Sequence, residues 1–187
     1  MVLLKKKTLI HPQANPEKCQ EFIEQLEAYE TSKRPIIYLD ESGFKAHDHR
    51  VYGYSPKGEP CVGKYNWQLK NITNAIGAIH EQKLFAVSLY NRSINGDIFH
   101  DWVANKLIPE LPKDSVIVMD SATFHKRKDT QELIQKEGHT LLYLPPYSPN
   151  FNFIEQTWAW IKQKRKEWRI HCIDDLFFYF MWICGCF

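Results

Sequence analysis

The 187-residue chain lacks paired cysteines and long apolar runs, and each absence excludes a class of protein. Its five cysteines are scattered and include no C-x-x-C pair, which argues against a zinc site or a disulfide framework. Free thiols of this kind are typical of the reducing cytoplasm. The first residues contain no apolar stretch that could act as a signal peptide, and the apolar segment 176–187 is shorter than the about 20 residues that span a bilayer. We therefore expect a cytoplasmic protein without a membrane partner.

The chain also lacks a strong charge of either sign. It carries 24 Lys and Arg against 22 Asp and Glu, a net charge of +2, so any surface that binds nucleic acid must be local. The 44% of hydrophobic and 25% of charged residues are ordinary for a globular protein, which excludes wholesale disorder. The length favours one domain with a short appendage.

Hydrophobic periodicity predicts an alternation of helices and strands. The predicted helices cover 16–30, 97–108, 126–137 and 152–168, the second of them ended by Pro109. The predicted strands cover 36–41, 116–120 and 140–144, and a hairpin with a four-residue connection joins 72–79 to 84–89. Antiparallel strands come first and strand–helix alternation follows. This order predicts an α/β fold in which helices flank a mixed sheet.

Two of the apolar strands end in an aspartate, Asp40 and Asp120. Because ligand sites of α/β sheets lie at the ends of central strands, we expect these carboxylates to be close together. At about 4 Å they would repel by about 4 kcal/mol at an effective dielectric constant near 20, and a divalent cation offsets such repulsion. Glu155 lies near the start of the helix over 152–168 and can reach the same place. Singly, each acid is equally typical of a turn or a helix cap. Together they fit two Mg²⁺ or Mn²⁺ ions.

Basic residues follow the third of these acids on its own helix. They are Lys162, Lys164, Arg165 and Lys166. Two interpretations stay open, an ordinary solvated helix face or a surface that contacts the DNA backbone. His125 and Lys126 follow Asp120 closely and are further candidates for DNA binding. For His125, contact with a phosphate or the metal shell and simple exposure to solvent are equally supported.

Five blocks occur in order along the chain. They read YLDESGF at 38–44, GYSPKG at 53–58, NRSING at 91–96, VMDSATFHK at 118–126 and LPPYSPNFNFIEQTW at 144–158. In this order and at this spacing they resemble the catalytic domain of bacterial insertion-sequence transposases of the mariner superfamily, which are DDE endonucleases. The resemblance extends from about residue 36 to residue 168.

The resemblance implies a ribonuclease H-like fold and a catalytic triad of Asp40, Asp120 and Glu155 that holds two Mg²⁺ (or Mn²⁺) ions. It implies that water attacks at transposon ends and that a freed 3′-hydroxyl then attacks target DNA. The implied partners are transposon-end and target DNA, a second copy of the chain, and a helix-turn-helix subunit encoded separately or joined by frameshifting. The implied location is the bacterial cytoplasm, at the nucleoid.

Three features depart from the family pattern. Ser121 stands where the family commonly has Asn. In the segment before Glu155, three residues replace Asp, Leu and Pro, namely Asn150, Phe151 and Phe153. The N-terminal helix-turn-helix region is absent, and 1–16 resembles the linker that follows it.

We predict three segments and one function. The segments are a linker with an N-terminal helix at 1–35, a DDE catalytic domain at 36–170 and an apolar tail at 171–187. The function is metal-dependent DNA cleavage and strand transfer at transposon ends. Two alternatives stay open. One is a catalytically silent DNA-binding or dimerisation remnant of a transposase, and the other is a ribonuclease H-like nuclease that acts on RNA or structured DNA.

Overall fold

A computed structural model describes residues 15–45, 54–62 and 72–180. Its strands are β1 (Ile36–Lys45), β2 (Ile72–His80), β3 (Lys83–Tyr90), β4 (Val116–Met119) and β5 (Thr140–Tyr143). Its helices are α1 (Pro16–Thr31), α2 (Gly96–Trp102), α3 (Ile108–Glu110), α4 (Lys128–Lys136), α5 (Ile154–Trp168) and α6 (Ile173–Phe178). Each predicted helix and strand has a counterpart here.

The strands form one mixed sheet in the order β3-β2-β1-β4-β5. The first three are antiparallel neighbours, whereas β1, β4 and β5 run parallel. All four residues of β4 are buried, as expected for a parallel strand covered on both faces by helices. The predicted mixed sheet with flanking helices is confirmed.

Alternate residues of β1 face two hydrophobic clusters on opposite sides of the sheet. Tyr38 belongs to the cluster under α1, α5 and α6, and Leu39 belongs to the cluster under α2 and α4. The same alternation sends the next two side chains, Asp40 and Glu41, to opposite faces. The two acids therefore have different neighbours: Asp40 lines a pocket with Glu155, whereas Glu41 contacts His125.

Two local predictions were wrong. The hairpin turn has two residues rather than four, with Glu81 in the left-handed region at φ 56°. Pro109 does not end its helix, because the chain stays helical to Glu110. A π-helical turn at Val103–Leu107 precedes the proline. Since proline lacks an N–H, the wider turn accommodates it where a regular helix would break.

Both ends of the described chain contribute to the core. Phe22 of α1 and Leu176 and Phe177 of α6 lie in the same hydrophobic cluster as β1 and α5. The predicted linker at 1–14 and the end of the apolar tail at 181–187 lie outside the described residues. Within the described ranges, every helix is too short or too polar to cross a membrane.

Candidate active site

The parallel register of β1 and β4 brings the two aspartates together. The pairing ends at Tyr38 opposite Val118, so two residues further along each strand Asp40 lies beside Asp120. The prediction that Asp40 is at a strand tip was wrong, since β1 continues to Lys45. Asp40 instead marks the point where β1 loses its neighbour β4, and the edge of the sheet opens there.

A glycine clears the space next to Asp40. Gly77 of β2 is paired with Asp40, and a Cβ at this position would lie 3.2 Å from the Trp158 ring of α5. That distance is shorter than ordinary van der Waals contact, so a side chain at Gly77 would require the Trp158 ring to shift slightly. The glycine therefore allows the ring to pack closely against the sheet beside Asp40.

All three predicted acids line one pocket of about 420 Å³. Asp40, Asp120 and Glu155 form its acidic part, and the loop 144–149 forms the opposite wall. The helix α5 begins at Ile154, two residues later than predicted, and Glu155 lies in its first turn. A larger pocket of about 810 Å³ lies near the start of β1 and contains none of the three. The convergence of the triad, expected from the strand order, is present.

The three carboxyl groups are electrostatically unequal. Burial, followed by the charges of Glu41, Glu155 and Asp120, raises the pKa of Asp40 to about 7. Burial and the charge of Asp120 raise the pKa of Glu155 as well. By contrast, a hydrogen bond from His125 lowers the pKa of Asp120. Of these three carboxyl groups, the protein therefore lowers the pKa of Asp120 alone.

The donor set fits divalent metal ions, although the side chains do not form a finished site. Among the described residues, no three acidic, imidazole or thiol groups are close enough to hold an ion as they stand. The triad nevertheless offers oxygen ligands in mutual repulsion, which suits Mg²⁺ or Mn²⁺. Metal binding therefore requires the carboxylates to come closer together than they are here.

Asn152 supplies a further oxygen next to the triad. This residue is buried, and its Nδ2 donates to the carbonyl of Leu39 at 3.3 Å. Its Oδ1 is buried without a hydrogen-bond partner among the described residues, and Asn152 lines the same pocket as the triad. An orphaned buried acceptor costs about 1–3 kcal/mol, which a metal-bound water would recover. This observation also fits an ion in the pocket.

His125 is enclosed by protein and not directed to solvent. It is 1% exposed, and its ring nitrogens contact Asp120 Oδ1 at 2.6 Å and Glu41 Oε1 at 2.9 Å. Burial opposes protonation, but the two carboxylates outweigh it and raise the pKa of His125 to about 9. The burial of His125 excludes the interpretation that it simply faces solvent. Direct contact with DNA would need this histidine to leave its pocket.

The predicted basic residues differ in exposure and in surroundings. Lys162 lines a second pocket together with Asp40 and Glu155. Lys126 and Lys166 are exposed. Lys164 forms an ion pair with Glu167 at 2.7 Å. The cluster is therefore not one continuous positive face. Lys162 is the member closest to the acids.

Arg165 differs from the expectation for a DNA-binding residue. It is 5% exposed, and its guanidinium donates to three backbone carbonyls, those of Lys45, Ile170 and His171, at 2.7–3.1 Å. Helical spacing turns this position toward the core, whereas its neighbours in the run stay outside. The side chain holds the end of α5 to the end of β1.

Comparison with known proteins identifies the family. The sequence matches the family described as "DDE superfamily endonuclease" over residues 35–177. The chain belongs to this family. Comparison with curated proteins finds no match.

Solved structures share the fold of this DDE endonuclease domain. The paired-end complex of Mos1 transposase with the left transposon end superposes with a TM-score of 0.67 at 13% identity, covering 88% of this chain and 53% of that one. The catalytic domain of Mos1 mariner transposase gives a TM-score of 0.64 at 12% identity, covering 92% and 81%. This chain spans about half the length of the Mos1 chain in the paired-end complex. The likeness confirms the predicted ribonuclease H-like class.

Sequence reasoning about this DDE domain missed two residues of the site. Glu41 directly follows Asp40, but its bond to His125 links positions 84 residues apart in sequence. Asn152 lies inside the block that precedes Glu155, yet its contact with Leu39 spans 113 residues. The only sequence signal was their proximity to the predicted acids.

Proposed function

We propose that this chain is the catalytic domain of a transposase, and that it cleaves DNA at transposon ends and transfers the freed strand to target DNA. The single observation that carries the proposal is the pocket shared by Asp40, Asp120 and Glu155 in a DDE endonuclease domain. The matched Mos1 structures include complexes with a transposon end and with Mn. These likenesses support the choice of DNA as substrate and of Mg²⁺ or Mn²⁺ as cofactor.

In this proposal Asp40, Asp120 and Glu155 hold two Mg²⁺ or Mn²⁺ ions, and Asn152 accepts a hydrogen bond from bound water. When bound, the ions supply Lewis-acid stabilisation to the attacking and leaving oxygens of a phosphodiester. Lys162, which lines the pocket beside Asp40 and Glu155, places positive charge where a DNA phosphate would lie. Its charge also offsets part of the rise in the pKa of Glu155 that burial and Asp120 cause.

The wider assignments are part of the same proposal. The working form would be a homodimer on paired DNA ends in the bacterial cytoplasm, at the nucleoid. A helix-turn-helix subunit or frameshift product would supply end recognition. The catalytic domain would cover 36–170, flanked by the linker and helix of 1–35 and by the tail of 171–187.

Mn²⁺ binding tests the metal site without DNA. We expect the full chain to bind Mn²⁺ in calorimetry, and Asp40→Ala to weaken the affinity by more than about tenfold because a ligand is lost. Asp101→Ala, on the exposed face of α2, is the matched control and should bind as the parent does. Equal affinity of the parent and Asp40→Ala would refute the assignment of Asp40.

Cleavage decides between the proposed function and its alternatives. The assay supplies the full chain, the upstream helix-turn-helix product, Mg²⁺ and DNA with the inverted repeats that flank the coding sequence. Nicking at the repeat ends supports a transposase. Mn²⁺ binding and DNA binding without cleavage would favour a silent remnant. Cleavage of an RNA–DNA hybrid in place of the repeats would favour a ribonuclease H-like nuclease.

The basic residues of α5 give a prediction about DNA affinity. We expect the double change Lys162→Ala and Lys166→Ala to weaken DNA binding and to reduce the slope of log K against log salt by about two, since each phosphate contact contributes about 0.9. Lys164→Ala is the matched control, because its ammonium is already paired with Glu167. Fluorescence anisotropy with a labelled duplex at several salt concentrations measures the slope. A slope equal to that of the parent would rule out phosphate contacts by these lysines.

A further inference from the structure

One imidazole, that of His125, connects the carboxylates of Glu41 and Asp120. Asp40 and Glu41 diverge by strand alternation, and Glu41 lies on the side of α2. His125 packs on that side against the rings of Phe99 and Phe124, with centroids 4.4 and 4.3 Å from its own. From there it contacts Glu41 with Nε2 and Asp120 with Nδ1. The imidazole therefore passes around the end of β4.

The backbone of His125 is also held in place. Its carbonyl accepts a hydrogen bond from the Tyr143 hydroxyl at 3.2 Å, and that hydroxyl accepts one from Gln131 Nε2 at 2.9 Å. The ring and the main chain of His125 are thus both constrained, by β5, α4 and two aromatic rings. A buried ring restrained on all these sides has one orientation available.

This bridge lies where the main-chain pairing of β1 with β4 has stopped. The ladder ends at Tyr38 and Val118, so Asp120 lies beyond the residues of β4 that pair with β1. The chain of contacts from Glu41 through His125 to Asp120 supplies that connection by side chains. It ties the residue after β4 to the strand that carries Asp40.

The bridge also occupies one of the two carboxylate oxygens of Asp120. Oδ1 accepts from the backbone N–H of Ala122 at 2.9 Å as well as contacting His125. Both contacts fall on the same oxygen. Oδ2 carries no hydrogen bond within the described residues and is the atom left for a ligand in the pocket.

We propose that Glu41 and His125 form a positioning pair that orients Asp120 for metal binding, with Glu41 acting only through His125. The inference rests on the proposed function, because it assumes that Asp120 is a metal ligand. Glu41 is not itself a ligand in this scheme, since its carboxylate is bonded to the imidazole. The arrangement follows the general rule that outer groups fix the geometry of metal ligands.

The test is Mn²⁺ binding by the full chain without DNA, followed by calorimetry and by the electron paramagnetic resonance of Mn²⁺. We expect His125→Ala to weaken the affinity by about 10–100-fold and Glu41→Ala to weaken it less, in the range of outer-shell changes. His125→Asn should restore part of the affinity, because its amide can donate to Asp120. In the His125→Ala background, Glu41→Ala should cause no further loss.

A matched control separates positioning from simple stability. His139 is also a buried histidine, and its Nδ1 accepts from the backbone N–H of Ser115 just before β4, at the opposite end from Asp120. His139→Ala should lower the melting temperature and leave the Mn²⁺ affinity unchanged. If His125→Ala does not fold, the partly exposed Glu41 still tests the pair through Glu41→Ala and Glu41→Gln.

The outcomes distinguish this inference from the proposed function. If the parent binds Mn²⁺ and the His125 and Glu41 variants bind it equally well while melting earlier, the pair is structural and the inference is wrong. A loss caused by Glu41→Ala that persists in the His125→Ala background would show that Glu41 acts directly, which also overturns it. If the parent binds no Mn²⁺, the metal site itself fails and both proposals fall.

Discussion

Asp120→Asn is expected to reduce Mg²⁺-dependent DNA cleavage by about 10³-fold or more, because the loss of a ligand to a catalytic ion removes several kcal/mol of transition-state stabilisation. The substitution is nearly isosteric. Asn retains an Oδ1 that can accept from the N–H of Ala122 and from His125, so the turn after β4 should persist. What disappears is the negative charge and the anionic Oδ2 that faces the pocket.

The matched control for this prediction lies at the other end of the same strand. Asp114 precedes β4, its side chain is 67% exposed, and it pairs with Arg34 at 2.7 Å, away from the triad pocket. Asp114 has φ 56°, a left-handed conformation that Asn tolerates, so Asp114→Asn should fold and cleave like the parent. Cleavage by Asp120→Asn at the rate of the control would remove Asp120 from the catalytic machinery.

Arg165→Ala is expected to lower the free energy of unfolding by about 3 kcal/mol, because it removes a buried guanidinium that donates to three backbone carbonyls. Arg165→Lys should recover only part of this loss, since one ammonium cannot reproduce the planar fork of the guanidinium. Urea denaturation monitored by tryptophan fluorescence measures the difference.

The neighbouring Lys166 provides the matched control for Arg165→Ala. Lys166 is exposed, so Lys166→Ala should change the stability by no more than about 0.5 kcal/mol and should act on DNA affinity instead. Arg165→Ala, kept at a temperature where it is folded, should retain the salt slope of the parent. A lower slope with unchanged stability would return Arg165 to the DNA-binding surface and contradict the structural role.

Local pattern predicted most of the elements because each is encoded by its own residues. The run 116–119 is wholly apolar, and it is the fully buried β4. The errors occur where backbone geometry competes with pattern. Pro109 reads as a helix end, but a π-helical turn lets the chain stay helical to Glu110. Asp40 reads as a strand tip, but antiparallel pairing with β2 carries β1 on to Lys45.

The sequence alone was sufficient for the composition class, the order of helices and strands, and the three acids that share a pocket. Those acids could be found because parallel central strands place their ends at one edge of the sheet. The roles of Glu41, His125, Asn152 and Arg165 depended on tertiary packing. Their contacts join residues 84, 113 and 120 positions apart, so no local pattern encodes them. Arg165 and Lys166 are adjacent bases in the sequence, and only the direction of each side chain relative to the core separates a structural residue from a candidate for DNA contact.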